Sequence, residues 1–153
     1  MKTFLTKGLT LIELLLVVAI IGILSSTLIV AVNPARQLAK ARDAQREADL
    51  IAILSAIYQY ASEHSGDLPD TDGNPNASNF PTTLRCIGTN ATCFDLARAG
   101  DGEDTIVPDY MAEIPVDPQT GSTANTGYLI MVDVNGRLIA SASGETKTIR
   151  ITR

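Results

Sequence analysis

Hydrophobic and polar positions divide the chain into three regimes. From Leu14 to Val32 no residue is charged, and only Ser25, Ser26 and Thr27 carry a hydroxyl. This run of nineteen residues predicts a helix that is apolar on every side, roughly 28 Å long at ~1.5 Å rise per residue. From Ala35 the apolar residues fall at spacings of three, four and seven: Leu38, Ala41, Ala48, Ile51, Leu54, Tyr58 and Ala61, with Ile53 and Ile57 widening the stripe. That pattern predicts an amphipathic helix with Arg36, Lys40, Asp43 and Glu47 on another face. Lys40 and Asp43 are spaced as an i,i+3 ion pair. Gly66 suits a left-handed cap and Pro69 follows it, so the helix should end near Ser65. Pro34 lacks an N–H. A kink or a short unwound section is expected near Ile29–Asn33, within one long helix from Leu9 to Glu63.

Beyond Gly127 the period changes to two. Gly127–Val134 places Tyr128, Ile130, Val132 and Val134 on one face. Asn135-Gly136 is a type I′ hairpin signal. Arg137–Ser143, a Gly144-Glu145 turn and Thr146–Thr152 follow, with Ile149 and Ile151 on one face. The expectation is a three-stranded antiparallel meander with one apolar side, and the stripe from Leu38 to Ala61 is its natural cover. The fold class is therefore α+β, a long N-terminal helix on a small three-stranded sheet.

Between helix and sheet the chain is punctuated. Gly66–Pro81 is rich in Gly, Pro, Asn and Asp and is expected as loop. Cys93–Ala99 suits a short helix, and a helical turn is expected at Thr105–Tyr110. Pro115, Pro118 and Gly121 make Ile114–Gly121 a rigid turn. The organisation expected is a leader at 1–8, a membrane or filament-core helix at 9–33, its amphipathic continuation at 34–65, a loop region at 66–126 and the meander at 127–153.

Composition narrows the function. The chain has 153 residues, a net charge of −5 and an apolar fraction of 45%. The negative charge opposes general nucleic-acid binding. Lys2 and Lys7 precede the apolar run with no acid before Glu13, which keeps that end cytoplasmic if the run spans a membrane. Arg36, Lys40, Arg42 and Arg46 on the far side weaken that bias. Cys86 and Cys93 can close a small loop in an oxidising compartment, two free thiols being the alternative. Zinc lacks ligands, since His64 is the single histidine. Asp101, Glu103 and Asp104 are hard oxygen ligands that could hold calcium, and Asp70-Thr71-Asp72-Gly73-Asn74 is a truncated calcium loop better explained as a solvated turn. No other cofactor is implied. Asn76-Ala77-Ser78 and Asn90-Ala91-Thr92 fit the N-x-S/T sequon. No catalytic constellation stands out, so an enzyme is not expected.

Glu13 is the anomaly, an acid at the head of an apolar helix, and such a residue is a functional hypothesis by default. A secretory signal peptide fails because the run is too long and no A-x-A-like site follows it. A plain anchor explains the length but not Glu13.

The stretch Lys7-Gly8-Leu9-Thr10-Leu11-Ile12-Glu13-Leu14-Leu15, continuing as Val17-Val18-Ala19-Ile20-Ile21-Gly22, resembles the class III signal of type IV pilins and type II secretion pseudopilins. Leu9 stands where that family usually has Phe. Pro34 falls slightly later than the family's helix-kinking proline. Pro115-Val116-Asp117-Pro118-Gln119-Thr120-Gly121 resembles the P-x-D-P-x-x-G segment of major pseudopilins. The resemblance implies a pilin-like fold and a structural filament subunit. A prepilin peptidase would cut between Gly8 and Leu9 and methylate the Leu9 amine. Glu13 would then be the assembly charge, facing the Leu9 amine of an adjacent copy.

The partners implied are other copies, related minor subunits, the peptidase, an inner-membrane assembly platform and the lipid bilayer. The location implied is a single pass through the inner membrane, then a pilus or pseudopilus outside it. The alternative is a membrane-tethered binding domain that does not polymerise.

Overall fold

The computed structural model describes residues 8–73 and 78–153, with residues 27–32 described in backbone only. The leader residues 1–7, including Lys2 and Lys7, lie outside the described residues, as do Asn74, Asn76 and Ala77 of the calcium-like loop and the first sequon. The chain divides into two compact units, Met1–Leu38 and Ala39–Arg153.

In the first unit, helix α1 spans Leu11–Val32. Thr10 caps it: the Thr10 hydroxyl accepts from the Glu13 N–H, and the Glu13 carboxylate accepts from the Thr10 N–H. This reciprocal box satisfies two of the four orphan donors at the helix start. The helix stops at Asn33, which takes the left-handed conformation (φ 44°). Helix α2, Pro34–Glu63, begins at once. Pro34 suits a first helical position because its missing N–H would have no partner there. Asn33 also serves α2, since its side-chain oxygen accepts from the Arg36 N–H at 3.3 Å. The expected single helix is thus two helices, broken at the residue before the proline, where the α conformation is disfavoured.

Among the described residues, no helix is long and apolar enough to cross a membrane. This overturns the single-pass inner-membrane placement expected from the sequence.

The second unit packs α2 on a four-stranded antiparallel sheet of order β1-β2-β3-β4. The strands are β1 Arg85–Cys86, β2 Tyr128–Val132, β3 Leu138–Ala142 and β4 Ile149–Thr152. The sheet has four strands, not three. β1 is two residues long and carries no alternation, but it pairs Arg85 with Ile130 and Cys86 with Leu129. β2 and β3 pair Tyr128 with Ala142 and Val132 with Leu138, and β3 and β4 pair Ala142 with Ile149. Leu50, Ile53, Leu54, Ile57 and Tyr60 of α2 join Tyr128, Ile130, Leu138, Ala140 and Ile149 in one core.

Two details of the expected pattern differ. The β2–β3 connection is not a two-residue type I′ turn. The Gly136 N–H donates to the Asp133 carbonyl, the Asp133 N–H donates to the Arg137 carbonyl, and Gly136 has φ +76°. This is a three-residue loop with glycine in the left-handed position, and it moves Val134 off the strand and into solvent.

The buried face of α2 is also rotated from the expected stripe. Leu38, Ile51 and Tyr58 are exposed, and the buried positions are Asp43, Arg46, Asp49, Leu50, Ile53, Leu54, Ala56, Ile57, Tyr60 and Ala61. The helix stops at Glu63, and Ser65 and Gly66 take positive φ, as the cap requires.

Candidate functional site

Gly8, Leu9 and Glu13 lie together at the head of α1. Gly8, Leu9 and Thr10 form no helix, and all three are exposed. The Glu13 carboxylate takes two hydrogen bonds from Thr10, from its N–H and from its hydroxyl, each 2.8 Å. Those donors hold the carboxyl below its ordinary value. The exposed segment at Gly8–Leu9 offers an accessible peptide bond, and Glu13 offers one carboxylate four residues on. From Leu9 to Leu24 the large apolar side chains are between 48% and 78% exposed. They surround the helix rather than striping it, as a helix buried on all sides would require.

In the second unit Cys86 and Cys93 are disulfide-bonded. The bond closes the loop that leads from β1 back to Phe94, whose N–H donates to the Cys86 carbonyl at 2.7 Å. The second sequon lies on this loop: the Asn90 side-chain oxygen accepts from the Thr92 N–H at 3.2 Å. His64 stacks on Tyr60, with ring centroids 4.0 Å apart, and its Nε2 lies 3.2 Å from Asp101. Asp101 turns back on its own loop, accepting from the Glu103 and Asp104 N–H groups. Among the described residues no group of three or more His, Cys, Asp or Glu side chains is placed to hold a metal ion.

The strongest electrostatic feature was hidden in the sequence. Arg46 is 2% exposed and sits in the core-facing row of α2. Its Nε donates to Asp117 Oδ2 at 2.5 Å and its Nη2 to Asp117 Oδ1 at 3.2 Å, while Nη1 donates to Asp43 Oδ1 at 2.9 Å and to Glu145 Oε1 at 3.1 Å. Asp43 also accepts from the N–H groups of Glu145 and Thr146 and from the Thr146 hydroxyl. Asp117 accepts from the N–H groups of Gln119 and Thr120. One guanidinium therefore ties α2 to two loops, the Pro115–Gly121 turn and the β3–β4 turn. Glycine is required at the second: a Cβ on Gly144 would lie 2.1 Å from the Lys147 carbonyl and 2.9 Å from Asp43 Oδ1. One turn along the helix, Asp49 accepts from the Tyr128 hydroxyl at 2.6 Å and from Gln45 at 2.8 Å.

The expected Lys40–Asp43 pair is thus replaced by Asp43–Arg46, and Asp43 is buried rather than on the solvent face. The signal that could have found it is the row 43, 46, 50, 53, 57 and 60, whose spacing of three and four continues the apolar stripe into charged residues.

This cluster sets a pH dependence. The Thr146 hydroxyl holds the Asp43 carboxyl far below its usual range, and the Arg46 guanidinium does the same to Asp117. A depressed carboxylate stabilises the fold fully above the unfolded value near ~3.9, and that stability drains away as pH falls toward the folded value. The urea midpoint is expected to be flat from about pH 5 to 8 and to fall steadily below about pH 4. Substituting Asp117→Asn should lower the midpoint at neutral pH and flatten that acid limb.

No family model matches the chain, and no curated protein and no solved structure matches it either.

Proposed function

We propose that the chain is the structural subunit of a helical filament, of the type IV pilin or pseudopilin kind that its Lys7–Leu15 motif resembles. One observation carries the reading: α1 exposes apolar side chains around its whole circumference. A surface of that kind must be covered. Copies of the same helix offer equivalent apolar surface without leaving any face in water.

Processing fits the same end of the chain. A prepilin peptidase would cut after Gly8, in the exposed segment ahead of the cap, and methylate the Leu9 amine. Glu13 would then exchange its Thr10 donors for the Leu9 amine of a neighbouring copy. That pairing neutralises two charges that are costly to desolvate and sets the register between copies. The sheet unit is what each copy displays, and the Arg46 cluster and the disulfide keep it rigid.

The test is the state of the chain purified from cells that express the peptidase. Assembled material should begin at a methylated Leu9, and Gly8→Val should leave the leader attached. Glu13→Ala should be processed and folded yet fail to assemble. A Glu13→Ala chain that assembles as well as wild type, or a wild-type chain that stays monomeric after processing, would sink the reading.

A further inference from the structure

A knob and a hole lie at opposite ends of the sheet unit. The hole is a pocket of about 220 Å³. Ile87, Leu96, Val107, Ile114 and Val116 supply its apolar lining. Asp95 and Glu113 also line it, with no Lys or Arg among the described lining residues. Thr126, just before β2 begins, also lines it. The knob is Val134, at the tip of the β2–β3 loop beyond the other end of β2. Val134 is 101% exposed, as free of contact as an apolar side chain can be. At ~3.3 Å per strand residue the two features are roughly 25 Å apart, so no copy can fill its own pocket with its own knob.

The loop that carries Val134 is held firmly. The Asp133 carboxylate accepts from the N–H groups of Asn135 and Arg137, and Arg137 Nε donates to it at 2.9 Å. The Arg137 side chain is still 59% exposed. Its terminal nitrogens are the donors that suit a carboxylate. Shape therefore matches, and Arg137, ion-paired through Nε with Asp133, still presents its exposed guanidinium beside the apolar tip, toward a hole with two acids in its lining.

We infer that Val134 of one copy seats in the Ile114–Val116 pocket of the next, with Arg137 facing Asp95 and Glu113. Because knob and hole are different surfaces at opposite ends, the contact is head-to-tail. Such a contact propagates unless its rotation closes a ring. It adds a second interface, between sheet units, to the one made by α1, and it rests on the filament reading above. It also explains why a loop tip in a water-facing turn carries valine.

The test uses the full processed chain with a photoreactive residue at position 134, mixed with isotopically labelled copies. Irradiated polymer should yield cross-links from position 134 to residues 114–116 of a differently labelled copy. Val134→Asp and Val116→Asp, both at exposed positions, should each raise the concentration needed for assembly about tenfold or more, with unchanged thermal unfolding of the monomer. Polymer that cross-links elsewhere, or Val134→Asp chains that assemble at the wild-type concentration, would overturn this contact and leave the filament reading standing. A wild-type chain that never assembles would overturn both.

Discussion

Replacing Arg46 by alanine is expected to cost about 3–5 kcal/mol of folding stability, the range for breaking one partner out of a buried ion cluster. Against a total of about 5–15 kcal/mol for a small domain, that leaves a marginal fold. The loss does not come from the attraction alone. Arg46 is the charge that makes it tolerable to bury Asp43 and Asp117, at 2% and 6% exposure. Without it two carboxylates remain in the interior with only backbone and hydroxyl donors, and one of them must protonate or pull its loop open. Lysine should recover only part of the loss. Its single ammonium cannot reproduce the fork that reaches Asp117 through Nε and Nη2 and Asp43 through Nη1. Urea unfolding at neutral pH checks both variants. A loss under about 1 kcal/mol for Arg46→Ala would mean that the loops admit water freely and that the cluster is no staple.

The second large effect is on assembly rather than folding. Val18→Asp places an acid among apolar side chains at mid-helix, at a position that is 59% exposed. In a single copy the new carboxylate stays in water and should change thermal unfolding little. In a bundle of α1 helices it would be buried without a partner, which costs several kcal/mol per copy. Assembly should therefore be abolished, not weakened, while the sheet unit unfolds at its wild-type temperature. Sedimentation of the processed chain separates the two outcomes. Polymer at wild-type yield would show that the apolar face of α1 is not what copies share.

The parts of the fold that follow from period and punctuation were readable. Tyr128, Ile130 and Ile149 alternate because their face packs into the core with α2, although β3 is buried at all five positions, and the Ser65-Gly66 cap follows from glycine's access to positive φ. What resisted reading has a common physical cause: a pattern rule was overruled by specific partners. Asp43 is expected on the polar face, yet it is buried together with Arg46 and Asp49, because each finds partners across the chain, at Thr146, Asp117 and Tyr128. The apolar spacing alone leads through Ile51 and Tyr58, which the structure leaves exposed.

The turn after β2 misled for a related reason. Asn135-Gly136 favours a two-residue hairpin, but the Asp133 carboxylate caps the Asn135 and Arg137 N–H groups in a different register, and Val134 turns outward. β1 was invisible because two residues carry no period. At the head of α1, Glu13 is legible as an acid before an apolar run, and the signal for Thr10 as its cap partner is T-x-x-E, the capping-box pattern.

The filament claim is tested most directly by helical reconstruction from electron cryo-microscopy of the processed full chain. Filaments are expected with α1 at the core, packed on α1 of other copies, and with each Glu13 carboxylate within ion-pair distance of a neighbour's Leu9 amine. Dispersed monomers, or filaments in which α1 lies outside and Glu13 faces solvent, would contradict it.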